Sequence, residues 1–113
     1  MKRILVLLAI LSALLGLTAC SSEEEGSAAP AATVTVENMS YNPASVTIKK
    51  GETVQWVFAD NGLPHDVVED SSGLFTSELL TEGDYSYTFD EAGTFDYHCT
   101  PHPMMLGTVI VEE

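Results

Sequence analysis

The densest run of side chains able to do chemistry is Tyr97-His98-Cys99-Thr100-Pro101-His102-Pro103-Met104-Met105. It offers a thiol, an imidazole three residues later and a thioether shortly after, soft and borderline metal donors carried on one loop. Pro101 and Pro103 bracket His102 and each fixes its own φ, so the loop is stiff before any metal arrives. A further candidate, His65, stands far upstream in Leu63-Pro64-His65, also where a strand begins.

The elements that must position these residues are strands. From Thr33 onward the pattern has period two and is rich in β-branched residues, which predicts strands over Thr33–Glu37, Ser45–Ile48, Thr53–Phe58, Asp66–Glu69, Tyr85–Phe89, Thr94–Cys99 and Gly107–Glu112. Asn42-Pro43, Lys50-Gly51, Asn61-Gly62, Ser72-Gly73, Glu82-Gly83 and Ala92-Gly93 punctuate these runs, the rhythm of a sandwich or small barrel. No stretch offers ten residues of amphipathic helix, Ser77–Leu80 is expected to turn, and no repeat is visible. Two loops at one end of a β-sandwich can converge on a point. His65, Cys99 and His102 would then form the His₂Cys trigonal set that, with a weak axial Met, makes a blue-copper site. Strand parity sends His98 outward when Cys99 faces inward, so His98 reads as a surface residue, with a side route for electrons through Cys99 as the lesser reading. Phe95 and Tyr97 share the parity of Cys99 and, with Trp56 and Phe58, read as core.

Three segments carry a resemblance: Asn61-Gly62-Leu63-Pro64-His65, then Glu91-Ala92-Gly93-Thr94-Phe95-Asp96-Tyr97-His98-Cys99-Thr100-Pro101-His102-Pro103, then Gly107-Thr108-Val109-Ile110-Val111. Together they resemble the cupredoxins, the amicyanin and plastocyanin branch in particular, over nearly all of residues 33–113. The resemblance implies an all-β, two-sheet Greek-key sandwich that holds one copper and passes single electrons between larger redox proteins, not an enzyme. It also implies that Met105 is the axial ligand, leaving Met104 as exposed apolar surface. Leu63, Pro64, Pro101, Pro103 and Met104 would form an apolar collar around the outward edge of His102, where partners dock. Where the family often has Asn after the first ligand His, this chain has Asp66, whose carboxylate is expected to accept a bond from the backbone of the Cys99 loop or from the Thr100 hydroxyl and, when ionised, to lower the potential.

The chain ends and the charge set the context. Met1-Lys2-Arg3 followed by the apolar run Ile4 to Leu17 reads as a secretory signal peptide, too short for a comfortable membrane span. It closes with Leu17-Thr18-Ala19-Cys20, which resembles the lipobox of prokaryotic lipoproteins. Residues 1–19 are therefore expected to be removed and Cys20 to carry the lipid, with residues 20–32 as a flexible acidic tether and 33–113 as the domain. That places the protein outside the cytoplasm, on the periplasmic or extracellular face of a prokaryotic membrane, as a monomer. The 113 residues hold 17 Asp plus Glu against 4 Lys plus Arg, a formal charge of −13, and 45% of residues are hydrophobic. Removing Lys2 and Arg3 leaves Lys49 and Lys50 as the only strong bases. Such a balance excludes nucleic acid as a partner and fits either a basic redox partner or a high-salt habitat. With Cys20 acylated, Cys99 is a lone thiol in an oxidising compartment, and a metal protects it.

Two other classes fit the same residues less well. A copper carrier or chaperone would use them to deliver the metal rather than to cycle it, and zinc could compete for the site. A thiol hydrolase with Cys99 as nucleophile lacks an oxyanion hole and a cleft.

Overall fold

The computed structural model describes residues 29–113. The proposed signal peptide, Cys20 and most of the tether lie outside these residues. Eight strands and no helix are found among them: β1 (Ala32–Glu37), β2 (Ser40–Asn42), β3 (Ser45–Lys49), β4 (Thr53–Phe58), β5 (Val68–Glu69), β6 (Asp84–Thr88), β7 (Gly93–His98) and β8 (Leu106–Glu112). They form two four-stranded sheets, in the orders β2-β1-β4-β6 and β3-β8-β7-β5. Pairs β1/β4 and β3/β8 are parallel and the other pairs antiparallel. This is the all-β sandwich that the residue pattern predicts.

Alternation explains which face is buried. In β4, Val54, Trp56 and Phe58 are buried while Thr53, Gln55 and Val57 between them are only half-buried. Val34 and Val36 of β1 meet the same interior, and Val46, Ile48, Tyr97, Val109 and Val111 close it from the other sheet. Trp56 is the hub, with ring centroids 5.4 Å from Tyr97 and 5.7 Å from Phe75. The Tyr97 ring lies against the backbone of Gly107, where a Cβ would fall 2.2 Å from Tyr97 Cζ, so only glycine fits this position of β8. Burial pushes the Tyr97 hydroxyl up to about 12, and it stays protonated.

The differences from the sequence reading are local. Strand β2 has only three residues, too few for its alternation to stand out in the sequence. The segment expected as a strand over Asp66–Glu69 pairs only at Val68 and Glu69, because the Val67 amide donates to Ser77 Oγ and Asp66 faces the ligand loop. The strand expected over Tyr85–Phe89 begins one residue earlier and stops at Thr88. Phe89 instead exchanges backbone bonds with the turn at Gly51 and Glu52. Ser77–Leu80 does not turn: Ser77 donates to Val67 O, and Leu80 bridges to His65.

Buried Glu69 organises the loop after β5. Its carboxylate accepts the Ser71, Ser72 and Leu74 amides at 3.0 Å and the Ser71 hydroxyl at 2.6 Å. The Ser71 hydroxyl contributes most to holding its pKa down to about 2.

Candidate metal centre

Both loops at one end of the sandwich deliver donors to a single point. Cys99 follows β7 directly and is buried, and its thiol is pushed above its ordinary pKa chiefly by that burial. From Cys99 the chain makes two tight steps, His102 N–H to Cys99 O at 3.2 Å and Met105 N–H to His102 O at 2.9 Å, before β8 begins. The Cys99 N–H closes the loop on Met105 O at 3.2 Å. Met105 is 4% exposed and packs inward, whereas Met104 is 89% exposed.

His65 arrives from the loop after β4. It is fully buried, and its backbone exchanges two hydrogen bonds with Leu80, at 3.0 and 2.8 Å. Its ring is fixed from behind. Nε2 lies 2.7 Å from Asp60 Oδ2, so Nε2–H donates to the carboxylate and the Nδ1 lone pair is left facing Cys99. Hydrogen bonding to His65 and to the Met39 amide holds the Asp60 carboxyl below its ordinary pKa. Asp60 also accepts the Asn38 and Met39 amides at 3.0 Å each, clamping a turn in which both residues have positive φ, 53° and 59°. Neither spacing nor composition marks Asp60 in the sequence as the partner of His65.

Cys99 Sγ lies 3.6 Å from His65 Nδ1 and 3.6 Å from His102 Nδ1, and all three donor atoms fall within 4.8 Å of one another. Metal–nitrogen and metal–sulfur bonds of about 2.05 and 2.3 Å, at angles between tetrahedral and trigonal, separate the two donors by roughly 3.6–3.8 Å. The observed spacing therefore fits one ion held by a thiolate and two imidazoles, a donor set suited to copper. Metal binding must displace the thiol proton.

Asp66 ties the two loops together. Buried beside His65, its Oδ1 accepts the Thr100 backbone amide at 2.7 Å, the backbone option of the two foreseen, and Tyr41 donates its hydroxyl to Asp66 O at 2.5 Å. Outside the donor set, Leu63, Pro101, Pro103 and Met104 are exposed and Pro64 is half-buried, flanking a half-buried His102. Met39, exposed, joins His102, Pro103, Met104 and Met105 around a shallow surface cleft, a contribution absent from the sequence reading. His98 faces outward, half-buried, with Nδ1 2.6 Å from Asp70 Oδ1.

A small two-sheet sandwich with a Cys-His-His cluster at one end defines a cupredoxin-type copper protein. The chain belongs to the plastocyanin/azurin family of copper binding proteins, whose sequence profile it matches over residues 28–112. It is 48% identical over 94 residues to amicyanin from Paracoccus versutus, spanning 74% of this chain and 67% of that one. It is 42% identical over 85 residues to plastocyanin from Scenedesmus fuscus, spanning 64% of this chain and 86% of that one. The fold superposes on a mutant amicyanin in its reduced Cu(I) form at pH 4 with a TM-score of 0.67 at 38% identity, covering 76% and 87% of the two chains. Cupredoxins are electron carriers rather than enzymes, and one copper per chain is the cofactor of this one.

Proposed function

We propose that this protein shuttles single electrons between redox proteins, with His65, Cys99 and His102 as the equatorial ligands of one copper and Met105 as its axial ligand. The observation that carries the reading is the 3.6 Å approach of both imidazoles to one buried thiol, with one imidazole sealed inside and the other at the surface. Copper bound there supplies a one-electron couple between Cu(I) and Cu(II). The chain's own residues hold the donors still. Asp60 and Leu80 fix His65, Asp66 pins Thr100 beside Cys99, and the two prolines stiffen the turn around His102. Ligands that keep their places in both oxidation states lower the reorganisation that accompanies transfer.

His102 is the exit. Its outward edge is surrounded by Leu63, Pro64, Pro101, Pro103, Met104 and Met39, an apolar collar suited to brief docking. Carboxylates over the rest of the surface steer a basic partner toward it. Reduction rates with a cationic and an anionic redox partner across a range of salt test this. A rate that falls with salt for the cationic partner is expected, and salt-independent rates for both defeat the steering. Reversible voltammetry of the copper-loaded protein is expected as well; copper that leaves readily to a Cu(I) chelator without a reversible wave would make the protein a carrier instead.

The anchoring reading joins this one. Residues 1–19 act as a lipoprotein signal peptide, Cys20 carries the lipid, residues 20–32 form the tether and 33–113 the domain, a monomer in the exported compartment. Support comes from the placement of β1. Ala31 N–H donates to Thr53 O at the start of β4, whereas the end of β4 leads to Asp60 and His65, so the tether leaves from the pole opposite the copper. Cys20→Ala should move the protein from the membrane fraction into the soluble one. If the variant stays with the membranes, the anchor lies elsewhere.

A further inference from the structure

At the pole opposite Cys99, a cleft of about 250 Å³ is lined by Leu74, Tyr87, Phe89, Asp90, Glu91 and Phe95. Phe95 lies four residues before Cys99 on β7, so at a rise of about 3.3 Å per residue the cleft stands more than ~10 Å from the copper ligands. The rings form one connected set. Tyr87 and Phe89 have centroids 4.9 Å apart, and Phe89 and Phe95 5.5 Å. Phe89 is 1% exposed and forms the floor, while Tyr87 and Phe95 are half-buried and open to the cleft.

Charge distinguishes this cleft from an ordinary fold in the surface. Asp90 and Glu91 are exposed, and among the described residues neither side chain has a hydrogen-bond or ion-pair partner. Both lysines among the described residues are already engaged, Lys49 with Glu112 at 3.8 Å and Lys50 with Glu113 at 3.4 Å. Aromatic rings attract a cation through their quadrupole, and adjacent carboxylates attract it through net charge. A strongly hydrated ion such as sodium gains little from the apolar wall, and a neutral alkane gains nothing from the carboxylates. The ligand that satisfies both carries its charge on an alkylated body.

We propose that this cleft binds a small organic ammonium ion, of the kind found in a choline-type head group. Two sources supply that chemistry: a free amine in the exported compartment, or the head group of a membrane lipid. Phe89 N–H donates to Glu52 O and Ala31 N–H to Thr53 O, so the cleft and the root of the tether share one pole. Where the anchoring reading of Cys20 holds, that pole stays within the tether's reach of the bilayer; the cleft itself rests only on its own residues.

The test is an amide NMR titration of the full chain loaded with Cu(I), using choline, its neutral carbon isostere 3,3-dimethylbutan-1-ol, and sodium chloride at matched ionic strength. Choline is expected to give saturable shifts at Tyr87–Glu91 and Phe95, with the alcohol binding about tenfold more weakly. Asp90→Asn combined with Glu91→Gln changes only exposed groups, and it should weaken choline several-fold while leaving the copper absorption unchanged. Phe95→Leu, which keeps the apolar volume and removes the ring, should weaken it also. Shifts reproduced by sodium chloride, equal binding of the alcohol, or unchanged choline binding in the double carboxylate variant would each overturn the proposal. Phosphatidylcholine vesicles added to Cys20→Ala separate the sources. Broadening at the same amides assigns the head group to lipid, and its absence beside intact choline binding assigns it to a free amine.

Discussion

The two imidazoles that meet Cys99 come from contrasting surroundings. His65 is sealed in the interior, with Asp60 behind its ring and Leu80 paired to its backbone. His102 rides a short proline-bracketed loop and is half exposed, and among the described residues its ring has no hydrogen-bond partner beyond the Cys99 sulfur. One ligand is held by a network and the other by the stiffness of its own chain. The contrast separates two requirements on an electron-transfer site: the metal must not move, and one of its ligands must be reachable.

Removing the network should do the most damage. Asp60→Ala leaves His65 without its orienting carboxylate and frees the strained Asn38-Met39 turn, and copper affinity is expected to fall about 10–100-fold in a chelator competition. Pro103→Ala, on the His102 side, should cost far less. Equal losses would erase the distinction between the two imidazoles. Met105→Leu should come next, shifting the potential measured by voltammetry while the protein stays intensely blue; a colourless variant would show that the thioether does more than tune.

Scaffold and site can also be separated by pH. Glu69 is held down to about 2, below its ordinary value of 4.5, so its stabilisation is complete above about pH 4.5 and is lost as the pH falls toward 2. Glu69→Gln should flatten that part of the acid limb in urea midpoints and leave the copper absorption at neutral pH untouched. An unchanged acid limb would mean that the loop after β5 contributes nothing there. The smallest effect is expected of Met104→Ala, which removes exposed surface beside His102. Colour, potential and stability should hold, and only the rate with a protein partner should drop.

What the sequence revealed follows from what kind of information each feature needs. Cys99, His102 and the two prolines lie within five residues, so their chemistry and spacing are visible directly. His65 becomes visible only beside the Cys99-x-x-His102 spacing, which calls for a second imidazole that Pro64-His65 can supply. Asp60 stayed hidden because its role depends on the turn at Asn61-Gly62 folding a carboxylate back behind the ring, which no local pattern encodes. Met39 was missed for the same reason, since it reaches the His102 surface only through the turn that Asp60 clamps. Strands with regular alternation, such as Thr53–Phe58, were legible to the residue. β2 and the shortened β5 were not, because their lengths are set by tertiary bonds from Tyr41, Asp66 and Val67.

The central claim is that one thiolate and two imidazoles grip a single copper. Titrating the purified protein with Cu(II) and recording its visible spectrum tests it most directly. An intense thiolate-to-copper band that saturates at one equivalent, and that Cys99→Ser abolishes, is the predicted result. One-to-one binding without colour, or a band that survives Cys99→Ser, would contradict it.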